Sequence, residues 1–188
     1  MVESNIQEAR EYLILLILGT SESKSHTMLQ LQKEFFYLWR SSSKIKPLVR
    51  FIAHYKGPFS ESLRDSIMNP VYLSDLWNYF PPKSRDNLTG GKISLNDDGI
   101  NKSNEYISLI KEKKNNDLIQ LIAGMRLIHD LYDDLSAHEL LYMVYINPNN
   151  RDFIRMSEIY NQVINKDIKN KLYERIKDQT QFLSGDVE

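Results

Sequence analysis

The sequence predicts a mainly α-helical fold with one small β-hairpin, and three observations predict it. Apolar residues recur at helical spacing through most of the chain. Helix-capping signatures stand ahead of several of these runs. The one interval where that periodicity yields to short extended pieces contains the turn pair Gly90-Gly91.

Residues 5 to 18 carry Ile6, Ala9, Leu13, Leu16 and Ile17 on one helical stripe, with Gly19 where a helix would stop. Thr27-x-x-Gln30 has the form of a capping box. It opens a second helix through Met28, Leu31, Phe35, Leu38 and Trp39 that should end near Ser41 to Ser43. Lys44 to Tyr55 alternates imperfectly around Pro47 and reads as a short extended piece or an irregular connection.

In Tyr55-Lys56-Gly57-Pro58-Phe59-Ser60-Glu61, glycine permits a turn and proline sets the chain direction. Ser60 and Glu61 then supply an N-cap and a first-turn acid for a third helix to about Met68, which Asn69-Pro70 stops. A short helix through Leu73, Leu76, Trp77 and Phe80 is predicted next, before Pro81-Pro82. Asn87-Leu88-Thr89, Gly90-Gly91 and Lys92-Ile93-Ser94-Leu95 then read as the hairpin, after which Asn96-Asp97-Asp98-Gly99 caps a helix through Ile100, Tyr106, Ile107 and Ile110. Helix, helix, helix, hairpin, helix is the order of a winged helix-turn-helix, with the helix from Ser60 as recognition element and the hairpin as wing.

The charged stretch Lys111 to Asp117 reads as a hinge. The expected domains are therefore a winged helix-turn-helix over 1–112 and a helical C-terminal region over 113–188 packed on it. In that region Leu118, Ile122, Met125, Ile128 and Tyr132 share a broad helical face, and Ser136-x-x-Glu139 is a second capping box opening a helix that Pro148 ends. Ser157 is placed to cap a last helix or helix pair through Ile159, Val163, Ile168 and Leu172, and the tail after Leu183 is expected to be disordered.

Composition narrows the function. The 188 residues contain no cysteine, which removes disulfides, thiolate metal sites and thiol chemistry and fits a reducing, cytoplasmic setting. The longest apolar run, Tyr12 to Leu18, is far short of the roughly 18 to 20 residues a membrane span needs, so no membrane partner is expected. The net charge of −1 hides an asymmetry. Between Glu22 and Gly57 seven cations (Lys24, Lys33, Arg40, Lys44, Lys46, Arg50, Lys56) face two anions (Glu22, Glu34).

The motifs Leu29-Gln30-Leu31-Gln32-Lys33-Glu34-Phe35-Phe36-Tyr37-Leu38, Tyr55-Lys56-Gly57-Pro58-Phe59-Ser60-x-x-Leu63, Ile93-Ser94-Leu95-x-x-x-Gly99 and Leu135-Ser136-x-x-Glu139-Leu140-Leu141-x-x-Val144-Tyr145 together resemble prokaryotic winged-helix proteins of the Panacea (SocA-like antitoxin) group. The resemblance implies a small regulator or antitoxin-type interaction protein. The sequence departs from the group's pattern at Lys56 and at Asn96.

Catalytic constellations are not expected. His129, His138, Asp130, Asp133, Asp134 and Glu139 lie close in sequence, but only His129 and Asp133 share a helix face. His138 and Glu139 fall across a predicted break, and no two-histidine spacing matches a zinc-protease helix. His26 and His54 read as ordinary surface groups. The expected function is a non-enzymatic regulator without cofactor or metal, binding double-stranded DNA through Lys33, Arg40, Lys44, Lys46, Arg50, Lys56, Ser62, Arg64 and Lys92, with Lys83 and Arg85 beside the wing. Glu61 and Asp65 would oppose that role. The alternative is a protein-protein module that uses the winged helix as a scaffold, its partner met by the acidic, tyrosine-bearing C-terminal helices. An exposed stripe Ile159, Val163, Ile168, Leu172 would favour a homodimer.

Overall fold

A computed structural model describes residues 2–84 and 88–185, the side chains of 2–4 and 176–185 excepted. Its secondary structure is mainly helical with a small antiparallel sheet, and it divides into two compact units: 1–52 with 58–134, and 53–57 with 135–188. That division differs from the boundary expected at 112/113, because the helix after the charged stretch packs on the first two helices.

The first unit begins with α1 (Val2–Thr20), whose residues Leu13 to Leu18 are all buried. A three-residue strand β1 (Ser25–Thr27) follows, and then α2 (Met28–Ser41), opened by the capping box: Thr27 Oγ1 accepts from Gln30 N at 3.1 Å and Gln30 Oε1 accepts from Thr27 N at 3.0 Å. Such caps contribute about 1 kcal/mol each. After turns over 43–48, β2 (Ile52–His54) and β3 (Gly57–Phe59) pair in a two-stranded sheet whose turn, Tyr55–Lys56, lies with Ala53–Gly57 in the second unit; Gly57, after it, has a φ of 80° that suits glycine. Helix α3 (Glu61–Met68) is capped by Ser60 and ends at Asn69, as the sequence indicates.

The next segment corrects the sequence reading twice. No helix forms over 73–80; β4 (Trp77–Phe80) is a strand whose alternating burial and aromatic side chains suit a pleated face, and the Trp77 indole donates to Ile67 O at 3.0 Å. Its partner is β5 (Lys92–Leu95), with Tyr79 opposite Ile93, so the hairpin runs from Trp77 to Leu95 rather than from Asn87. Leu88 and Thr89 lie in a turn, and Asn87 is outside the described residues. β5 also pairs with β1, His26 opposite Ile93, giving the sheet order β1-β5-β4.

Asn96 caps α4 (Asp97–Glu112), in which Gly99 lies so close to Leu76 O that a Cβ would sit 2.0 Å from it. Helix α5 (Asn116–Tyr132) then packs against α1, α2 and α4.

In the second unit, α6 (Ala137–Ile146) carries the second capping box, Ser136 with Glu139. A short 3-10 turn, α7 (Arg151–Ile154), α8 (Tyr160–Val163) and α9 (Lys166–Gly185) follow. Ser157 caps none of them. Its hydroxyl is 2.7 Å from Tyr145 OH and donates to Tyr55 O at 3.1 Å. Val163 and Leu172 are buried, so the expected dimer stripe is covered in part by this unit's own packing of α8 and α9 on α6. The expected disordered tail begins inside α9, which continues to Gly185; 186–188 are outside the described residues.

Candidate functional site

Two places in the first unit gather chemistry-bearing side chains: the face around α3 and the stretch beyond α2, and a buried cluster where β1, α2 and α5 meet.

Of the cations expected to meet phosphates, Lys33 is the clear correction. It lies on the buried side of α2, four residues after Leu29, and its ammonium donates to Pro58 O at 2.7 Å, out of reach of a duplex. Arg40, Lys44, Lys46 and Arg50 are exposed and follow one another along the end of α2 and the turns after it. Lys44 pairs with Asp117, and the Lys46 ammonium stands 5.9 Å from the centre of the Trp39 ring. Lys92 is exposed on β5, whereas Lys56 is half-buried and belongs to the second unit, its ammonium over the Tyr55 ring. Lys83 is exposed; Arg85 is outside the described residues.

Helix α3 presents less positive charge than its sequence position promised. The Arg64 guanidinium is 2.9 Å from Asp65 and 3.3 Å from Glu61, and it stacks over Phe59. Ser62 is half-buried, its hydroxyl 3.2 Å from that of Ser60. Exposed around them are Glu61, Asp65 and Met68, followed by Val71 and Tyr72.

The buried cluster joins residues that the sequence reading had separated. His129 on α5 and Asp133, the residue that caps its C-terminal end, meet as their four-residue spacing requires, with Nδ1 3.2 Å from Oδ1. His26 is buried at the centre of β1, not at the surface, because alternation in so short a strand turns its one central side chain inward. Its Nε2 stands 3.2 Å from Asp133 Oδ1 and 3.1 Å from Oε1 of Glu34, which projects from α2 and is fully buried. His138, which the sequence placed in the same neighbourhood, is exposed on α6.

The electrostatics are those of a crowded buried site. Burial opposes charge on His26, but Asp133 and Glu34 outweigh it and push its pKa up to about 9. Burial raises Glu34, against the pull of both histidines. Asp133 also resists ionisation through burial, yet hydrogen bonds from His129 and His26 hold it well below the usual carboxylate range.

No family model, curated protein or solved structure matches the chain. The resemblance to the Panacea group therefore rests on its four motifs alone. Among the described residues no helix is long and apolar enough to cross a membrane.

Glu34 and His26 were the residues sequence reasoning missed. Glu34 had a signal: it lies three residues after Leu31 and four before Leu38, so a carboxylate falls on the apolar stripe of α2. His26 had none, since β1 is defined only by its pairing with β5.

Proposed function

We propose that the first unit is a winged helix used as a non-enzymatic binding module, and that its partner is a protein. The order α1, β1, α2, β2, β3, α3, β4, β5 holds three helices followed by a paired strand couple, which supports the winged-helix reading, as does a sheet in which the last strand lies between the other two. On that reading α3 is the presenting helix and the paired strands β4 and β5 the wing.

The observation that carries the partner is the outward surface of α3. Glu61 and Asp65 are exposed on it, its arginine is engaged by both, and Met68, Val71 and Tyr72 continue it as exposed apolar side chains. Phosphates would be repelled there, whereas an acidic rim beside apolar side chains suits a basic and apolar protein surface. An antitoxin-type role, as the Panacea resemblance implies, belongs to this class.

A photo-crosslinking residue in place of Val71 should trap one partner in cells of the source organism, and the double substitution Glu61→Lys/Asp65→Lys should abolish the adduct. A crosslinker in place of Asn101, exposed on α4, serves as the control. Adducts that match the control, or that survive the double substitution, would remove the protein reading.

One observation favours DNA as a second reading: Arg40, Lys44, Lys46 and Arg50 form an exposed basic stretch. Duplex binding that falls steeply between about 50 and 200 mM salt, with a slope flattened by Arg40→Glu and Lys92→Glu, would establish it.

A further inference from the structure

Four donor atoms of the buried cluster, His26 Nε2, Glu34 Oε1, His129 Nδ1 and Asp133 Oδ1, all lie within 4.8 Å of one another. Four of their separations are 3.1, 3.2, 3.2 and 3.9 Å. Tetrahedral ligands bonded to zinc at about 2.0–2.1 Å stand about 3.3 Å apart. A hydrogen-bonded network can have such spacings too, so proton positions must decide between them. The Nε2 of His129 is 2.9 Å from Ile17 O, and since a carbonyl only accepts, that nitrogen carries hydrogen. The Nδ1 therefore turns its lone pair toward Asp133 Oδ1 and Glu34 Oε1, which are acceptors as well. A second ring proton or a cation must lie among them.

Glu34 is the independent sign. Its side chain is fully buried and points into the cluster; Oε1 has His26 Nε2 at 3.1 Å, and Oε2 has no hydrogen-bond partner among the described residues. A buried carboxylate left in that state is costly unless a charge faces it. A divalent ion would balance Glu34 and Asp133 together, leaving the site neutral. The carbonyl on the far nitrogen of His129 fixes that ring's tautomer as carbonyls do for metal-bound histidines. An entry path exists as well: a groove of about 630 Å³, lined among others by Thr20, Ser23, Gln30, His129 and Asp133, opens onto the cluster.

We propose that His26, Glu34, His129 and Asp133 bind one divalent transition-metal ion, zinc by preference, in a tetrahedral site that clasps α5 to α2 and β1. Two imidazoles and two carboxylates suit zinc. Calcium takes six to eight oxygen ligands and magnesium a near-octahedral set, neither of which this donor set provides. Four protein ligands leave no open position, so the ion serves structure rather than catalysis.

The test uses the untagged full chain, stripped with a chelator, titrated with zinc by calorimetry and with cobalt(II) by visible absorption. One equivalent of zinc, a cobalt spectrum of tetrahedral intensity and a higher Tm in stoichiometric zinc are expected. Glu34→Gln and Asp133→Asn should each weaken zinc at least about 100-fold, beyond the 10- to 100-fold typical of residues that merely support a ligand. His138→Ala, on the exposed face of α6, should leave the affinity unchanged. Asp133 is 27% exposed at the rim, so its asparagine variant keeps the fold, as circular dichroism will verify, even where Glu34→Gln does not. Absence of zinc uptake by the wild type overturns the proposal. So does binding that Asp133→Asn leaves intact, or binding that His138→Ala weakens equally.

Discussion

Two glutamates of the first unit are equally inaccessible to solvent, and their surroundings are opposite. Glu11 on α1 takes the backbone N–H of Val71 on one oxygen and those of Tyr72 and Leu73 on the other, each at 2.8 Å, with Gln7 adding a fourth contact at 3.2 Å. Glu34 on α2 has His26 Nε2 at 3.1 Å from one oxygen, no hydrogen-bond partner among the described residues for the other, and faces two imidazoles and a second carboxylate. The first fills its acceptor capacity and so fixes the turn after α3 against α1. The second has most of its capacity unspent in a place where water does not reach. Burial therefore does not tell a structural carboxylate from a ligand-binding one; the supply of donors does.

The largest effect should come from Glu11. Replacing it by alanine leaves three backbone amides without an acceptor, each worth about 1–3 kcal/mol, and a total on the order of 4 kcal/mol is expected. Glu11→Gln keeps one carbonyl and should lose about half as much. Urea unfolding would show both as a lower midpoint at unchanged slope. A loss under about 1 kcal/mol for Glu11→Ala would break the comparison, because a clamp so easily removed is not one.

A third carboxylate, Glu139 of the second unit, lies between these extremes and adds a pH dependence. Burial disfavours its charge, but the hydroxyl and amide of Ser136, then Arg175 and Lys171, lower its pKa below the ordinary 4.5. A lowered folded value means that the carboxylate stabilises the fold above about 4.5, its unfolded value, and loses that contribution as pH falls through the lower folded one. The advantage of the wild type over Glu139→Gln should be about 1 kcal/mol or less near neutrality and should vanish in acid. An advantage that persists below pH 3, or grows there, would mean the capping geometry rather than the charge is at work.

What could be read from the sequence follows the same division between local and distant causes. The caps at Thr27, Ser60, Asn96 and Ser136 are contained within four residues each, and their helices begin where those residues indicate. Trp77 to Phe80 satisfies the helical and the extended pattern alike, and only the pairing with β5 decides for a strand. β1, only three residues long, depends wholly on a partner more than sixty residues away, and His26 went unread with it. Lys33 carries the charge of a surface residue, yet it shares the broad buried face of α2 with Leu29 and Phe36. The pairing of His129 with Asp133 was legible in their spacing, whereas their meeting with Glu34 is a product of the packing of α5 on α2.

The smallest expected effect is the most informative. In metal-free protein Glu34→Gln removes a charge that burial already disfavours, and His26 keeps Asp133 at 3.2 Å as its partner. Loss of one ion-pair contact and relief of a desolvated carboxylate offset each other, so stability should change by less than about 1 kcal/mol in either direction. The same isosteric substitution at Glu11, equally buried, should cost about twice that or more, since there the amides remain and one of their two accepting oxygens becomes a donor. Zinc then separates the two sites. At a free concentration of 100 times its Kd the ion stabilises the wild type by about 2.7 kcal/mol, and Glu11→Gln should retain that increment while Glu34→Gln loses it. Equal costs for the two substitutions in chelator would mean that Glu34 is held by its neighbours as firmly as Glu11 is by its amides, and the contrast between them would collapse.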